Sequence, residues 1–133
     1  MALAGIILSV VGAGVPASAR PKPPPPVSLQ AANFRFCSAG EQTCLPERDD
    51  ANVTKVRVGT TVTWLYQDKA CDAVLPCPGH NVVFSRGGGS TRLVKSDGAR
   101  ILRMKFTRTG TYSYYCSAHQ SFGMTGTIVV TRH

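Results

Sequence analysis

Residues 110–124 read Gly110-Thr111-Tyr112-Ser113-Tyr114-Tyr115-Cys116-Ser117-Ala118-His119-Gln120-Ser121-Phe122-Gly123-Met124. The first half, rich in Thr and Tyr, suits an extended strand. The second half is a loop that carries Cys116, His119 and Met124, and Gly123 lets the chain turn sharply beside Met124. Side chains alternate along a strand, so an inward Cys116 puts Tyr112 and Tyr114 inward and Ser113 and Tyr115 outward. Tyr112 and Tyr114 are read as core.

Working outward, the chain from residue 27 onward holds short β-rich runs and no convincing amphipathic helix. The runs are 27–36, 53–58, 60–66, 80–85, 91–95, 100–106, 111–116 and 125–131, separated by Gly, Pro and Asp. Thr61-Val62-Thr63-Trp64 alternates polar with apolar, and Ile101-Leu102-Arg103-Met104-Lys105-Phe106 does so over much of its length. Short, closely spaced strands with turn signals between them predict an all-β sandwich or barrel of about eight strands. Trp64, the lone tryptophan, is expected in the core.

His80 opens one of these runs, His80-Asn81-Val82-Val83-Phe84, on a different strand from Cys116. His80, Cys116, His119 and Met124 together offer two imidazoles, a thiolate and a thioether. Cys-x-x-His alone also occurs in zinc sites, and a lone Met is usually a core residue. The full set suits copper cycling between Cu(I) and Cu(II): sulfur donors favour Cu(I), and imidazole is acceptable to both states. Two His and one Cys with a long axial Met form a blue-copper electron-transfer centre.

The cysteines point the same way. There are five; Cys37, Cys44, Cys71 and Cys77 make an even set, and Cys116 is left over. In an exported protein the even set implies disulfides. Three pairings are possible, and the simplest joins Cys37 to Cys44 and Cys71 to Cys77. Each such short loop contributes about 2–2.5 kcal/mol on the chain-entropy model. A metal-bound thiolate explains why Cys116 stays outside the set.

Export is read from the start of the chain. Residues 1–19 are uncharged and apolar, and they end in Ala17-Ser18-Ala19, a small-x-small ending that resembles a signal-peptidase site. No basic residue precedes the apolar run, so a start upstream of Met1 fits the pattern. The run is short for a membrane-spanning helix and is broken by Gly12, Gly14 and Pro16. Residues 20–26, Arg20-Pro21-Lys22-Pro23-Pro24-Pro25-Pro26, read as an extended spacer, which leaves 27–133 as the copper-binding domain. The expected location is periplasmic or extracellular, with no transmembrane segment in the mature form.

The 133-residue chain carries a formal net charge of +8. Between residues 86 and 108, Arg86, Arg92, Lys95, Arg100, Arg103, Lys105 and Arg108 face one acid, Asp97. Such a run suits either an acidic partner or a solvated face. Nucleic acid is not expected, since no binding motif is recognisable.

The sequence resembles the cupredoxins, the plastocyanin-like and pseudoazurin-like small blue copper proteins, over roughly residues 53–130. The likeness rests on Val58-Gly59-Thr60-Thr61-Val62-Thr63-Trp64, on His80-Asn81-Val82-Val83-Phe84, on the run from Gly110 to His119, and on Gly123-Met124-Thr125-Gly126-Thr127-Ile128. It implies a Greek-key β-sandwich with one type 1 copper near one end. It also implies His80, Cys116 and His119 as strong ligands, Met124 as the weak axial one, and Asn81 bracing the ligand loops. Two departures stand out. The stretch from Leu65 to Gly79 is longer than in simple members, and the basic balance differs from the acidic patches of plant plastocyanins.

The function expected from this is one-electron transfer between redox partners by a monomer, and the basic run suits an acidic partner. Pro78, Gly79, Ala118 and Phe122 are candidates for an apolar docking rim around His119. Copper delivery or storage is the alternative, although such proteins usually carry Met- or His-rich segments. An enzyme is not expected. Multicopper oxidases wire their coppers through histidines flanking the cysteine, whereas here the flanks are Tyr115 and Ser117, and the chain has three histidines in all.

Overall fold

Alternating Val, Thr and aromatic residues favour an extended chain with one buried face. The computed structural model describes residues 21–39, 44, 53–68, 79–87 and 89–132, and forms eight strands among them. These are β1 (Val27–Ala32), β2 (Arg35–Ser38), β3 (Val53–Arg57), β4 (Thr61–Tyr66), β5 (Val83–Phe84), β6 (Arg100–Lys105), β7 (Gly110–Tyr115) and β8 (Thr125–Thr131). One sheet runs β2-β1-β4-β6 and the other β3-β8-β7-β5. The β1–β4 and β3–β8 pairs are parallel and the remaining pairs antiparallel. The chain passes repeatedly between sheets, and the result is the expected Greek-key, cupredoxin-like sandwich. Residues 1–19, read above as an export signal, lie outside the described residues, as do Cys71, Cys77 and Pro78. Residues 21–26 carry neither strand nor helix.

The expected count of eight holds, but two runs differ. The run 27–36 is not one strand. Asn33 and Phe34 both adopt left-handed backbone, at φ 49° and 59°, and so form the two-residue hairpin turn that suits the twist of antiparallel strands. Asn tolerates this conformation, whereas a bulky residue such as Phe adopts it only under constraint. The run 91–95 forms no strand either. It touches β5 and its approach through the isolated bridges His80–Val94 and Val83–Ser90. Between them the Thr91 hydroxyl accepts the Val82 N–H at 2.9 Å, a place that a backbone carbonyl would take in a regular ladder.

Strand parity holds. Val62, Trp64 and Tyr66 of β4 point inward, and β6 sets Met104 opposite Val62 and Leu102 opposite Trp64. Tyr114 and Cys116 are buried while Ser113 is exposed. The core is bound by aromatic edges: Trp64 meets Tyr114 at 5.3 Å and Phe84 at 6.0 Å, and Phe36 meets Tyr114 at 4.9 Å. Such contacts add about 0.5–1.5 kcal/mol each beyond the area they bury.

Gly126 sits opposite Tyr114 in the β7–β8 pairing. A Cβ there would collide with the Tyr114 ring, so the missing side chain is what lets the ring lie across the sheet beneath Cys116. Gly126→Ala is therefore expected to destabilise the fold by about 1–3 kcal/mol, read as a lower urea midpoint. An unchanged midpoint would show that the ring has room to move.

Candidate metal centre

Two backbone devices bring distant donors to one end of the sandwich. Cys116 directly follows β7, and its N–H donates to the Met124 carbonyl at 3.0 Å, which extends the β7–β8 ladder by one step. The chain then coils back. The His119 N–H donates to the Cys116 carbonyl at 3.2 Å, and a short 3-10 turn follows at Gln120–Phe122. Gly123, at φ 81°, closes that turn in left-handed backbone. The Met124 N–H then donates to the His119 carbonyl at 3.2 Å.

His80 arrives from the other direction. Gly79, also at φ 81°, is buried where a Cβ would strike the Val94 carbonyl. His80 is held by a pair of backbone bonds with Val94, at 2.9 and 2.8 Å.

The three donors converge. His80 Nδ1 lies 3.1 Å from His119 Nδ1, and Cys116 Sγ lies 3.5 Å from His119 Nδ1 and 3.9 Å from His80 Nδ1. All three atoms fall within 4.8 Å of one another. His80, Cys116 and His119 are 0, 0 and 2% exposed. Cys116 is the free cysteine among the described residues, while Cys37 is bonded to Cys44. Burial lowers the pKa of both histidines below 6.5 by disfavouring the charged ring. The neighbouring His80 adds to the effect at His119, and Asp68 opposes it at both. Neutral imidazole is the form in which a histidine binds a metal. Cysteine sulfur with two imidazoles fits copper or zinc in chemistry.

Asn81 ties the two loops together. Its side-chain oxygen accepts the Ser117 N–H at 2.8 Å, and its Nδ2 donates to Ser117 Oγ at 2.9 Å and to the Thr91 carbonyl at 3.2 Å. The residue after His80 is thus bonded to the residue after Cys116.

Met124 is fully buried within the same loop. Of the expected rim, Phe122 is 70% exposed and Ala118 is half-buried. Gly79 departs from expectation: it is buried under Val94, because its role is to turn the chain into His80.

Sequence reasoning missed two residues. Phe34, at the tip of the β1–β2 hairpin, places its ring 4.6 Å from the His119 ring, edge to face, and 5.6 Å from Phe122. It stays 45% exposed. Asn33 was the available hint of a turn, and nothing in the sequence aimed Phe34 at His119. Asp68 was the other, an acid in an irregular stretch whose Oδ2 lies 3.1 Å from His80 Nε2.

Comparison with known proteins agrees with this geometry. The family model of copper binding proteins, plastocyanin/azurin family, matches residues 49–131. The plastocyanin of Scenedesmus fuscus is 34% identical over 84 residues, spanning 56% of this chain and 78% of its own. The oxidised state of a proline-to-alanine variant of amicyanin superposes with a TM-score of 0.52 at 26% identity, covering 79% of this chain and 81% of that one. The Cu(I) form of a methionine-to-alanine amicyanin variant gives 0.52 at 25% identity, with the same coverage.

The lowered histidine pKa values set a pH dependence for the metal-free protein. Above pH 6.5 both rings are neutral whether the chain is folded or not. As pH falls through 6.5 toward the lower folded values, the unfolded chain binds protons first and stability is lost. The urea midpoint of the metal-free protein is expected to drop between about pH 7 and pH 5, and to drop less in a His80→Gln, His119→Gln double variant. A midpoint that rises on acidification would contradict the buried, neutral pair.

Proposed function

Because the chain belongs to the plastocyanin/azurin family of copper binding proteins, we propose that it is an exported one-electron carrier holding a single type 1 copper. His80, Cys116 and His119 are its strong ligands, and Met124 is the weak axial one. The observation that carries this reading is the convergence of Nδ1, Sγ and Nδ1 within 4.8 Å among fully buried side chains. Copper, when bound, supplies a one-electron Cu(I)/Cu(II) couple; the protein supplies everything else.

What the protein supplies is rigidity. Two imidazoles and a thiolate are donors acceptable to both oxidation states. Each is pinned by its own backbone bonds, and Asn81 locks the two ligand loops to each other. Burial keeps water off the donors, so little has to move when an electron arrives or leaves. Delivery or storage fits less well, since donors this deeply enclosed are poorly placed for handing on a metal ion.

His119 is the natural exit. Phe34 meets its ring edge to face, Phe122 lies tilted beside it, and both are exposed large aromatics at this end. With Ala118 they form a small apolar face on which a redox partner can dock briefly. The strained backbone at Phe34 supports this reading, because such strain persists chiefly where function requires the placement.

Charge is arranged separately. Arg100, Arg103 and Lys105 lie on β6, and Arg86, Arg92 and Lys95 lie on the connection from β5 to β6. β5 and β6 are edge strands of the two sheets, on the flank where Phe84 and Phe106 meet at 6.4 Å. All six side chains are exposed. They favour an acidic partner and steer it by long-range attraction, which acts on association rate more than on the docked geometry. Export fits the Cys37–Cys44 disulfide, since such bonds persist in oxidising compartments. No helix among the described residues is long and apolar enough to cross a membrane.

The ligand assignment is tested by the visible spectrum of the copper-loaded, oxidised protein. An intense blue thiolate-to-copper band is expected in the wild type and should vanish in Cys116→Ser; a band that survives the substitution would refute the assignment. Steering is tested by kinetics with a negatively charged oxidant. The bimolecular rate should fall as salt rises, because exposed charges are screened beyond about 8–10 Å at moderate ionic strength. A double variant, Arg103→Glu with Lys105→Glu, should flatten that dependence and leave the spectrum in place. A wild-type rate indifferent to salt would reduce the basic flank to a solvated surface.

A further inference from the structure

His80 is engaged at both ring nitrogens. Nδ1 faces Cys116 Sγ at 3.9 Å and His119 Nδ1 at 3.1 Å. Nε2, on the far edge of the ring, lies 3.1 Å from Oδ2 of Asp68. Both side chains are buried, at 0 and 3% exposure. The Tyr66 ring packs on His80 at 5.3 Å, tilted by 36°. Tyr66 ends β4, and Asp68 follows two residues later, where the chain enters the long stretch toward Gly79. The described end of that stretch therefore places an acid on a ligand.

We propose that Asp68 is a positioning residue of the copper site, an inference that rests on the copper reading above. It has two effects, and they are separable. The first is orientation. A neutral imidazole carries one N–H and one bare nitrogen, and an ionised carboxylate only accepts. The bond to Asp68 therefore requires the proton on Nε2, which leaves the Nδ1 lone pair turned toward Cys116 and His119. The second is charge. A backbone carbonyl could accept the same N–H and orient the ring equally well, but it would bring no net charge. A carboxylate bonded to the far nitrogen makes the ring a stronger donor. Its charge acts through a poorly screened interior and favours Cu(II) over Cu(I).

Two substitutions separate the effects: Asp68→Asn keeps an acceptor oxygen and removes the charge, and Asp68→Ala removes both. Asp68→Asn should retain the blue band and the Nε2 proton. Its ratio of Cu(II) to Cu(I) affinity should fall about tenfold, a rise in reduction potential of about 59 mV for one electron. Asp68→Ala should also lose copper affinity by about 10–100-fold. In the metal-free form, the ring ¹⁵N signals of Asp68→Ala should show His80 no longer held in a single tautomer. A potential in Asp68→Asn equal to that of the wild type would overturn the charge effect. A wild-type ¹⁵N spectrum with the His80 proton on Nδ1 would overturn the orientation effect, and that measurement needs no variant to fold. A wild-type protein without a blue band would sink the copper reading instead, and the same spectrum would still decide the Asp68–His80 bond.

Discussion

Two imidazole nitrogens and a sulfur, none of them open to water, face one another across less than 5 Å at one end of this sandwich. Groups of this kind are costly to bury, because each gives up its contacts with solvent. Only a rigid frame holds them in that position, and much of the surrounding structure serves as that frame. The β7–β8 ladder carries Cys116 to the end of the sheet. Gly123 folds His119 back over it, Gly79 turns the chain into His80, and Asn81 bonds the two ligand loops together. A cation that accepts all three donors relieves the crowding without requiring the frame to move. That is the physical basis for reading the centre as an electron-transfer site.

The same constraint explains which parts were legible in the sequence. Cys116, His119 and His80 were readable because a thiol left out of an even cysteine set, with two histidines near strand ends, has few other uses. Strand parity placed Tyr114 and Cys116 inward correctly, since alternation is a local property of extended chain. The Cys37–Cys44 pairing was legible from its closeness in sequence. Cys71 and Cys77 lie outside the described residues.

What was not legible depended on contacts that carry no local signal. Asn33-Phe34 looked like the middle of one strand, because Phe favours extended chain and rarely turns left-handed. Only the hairpin it closes, and the His119 ring it meets, explain its conformation. Residues 91–95 have strand-like composition, yet the Thr91 side chain takes up the pairing that a backbone would need. Asp68 is one acid in an irregular stretch, and its meaning appears only when His80 is placed beside it. Gly79 was expected on the docking rim around His119, but the close approach of Val94 leaves no room for a side chain there.

The division of labour follows from these placements. Backbone and Asn81 hold the donors still, Asp68 and Tyr66 frame His80, Phe34 and Phe122 form the surface beside His119, and the basic flank lies along β6 and its approach. The most direct test of a preformed, rigid copper centre is X-ray absorption at the copper edge of the loaded protein in both oxidation states. One short copper–sulfur shell and two copper–nitrogen shells are expected, with nearly the same distances before and after reduction. A spectrum lacking the short sulfur shell, or one that loses or gains a ligand shell on reduction, would contradict it.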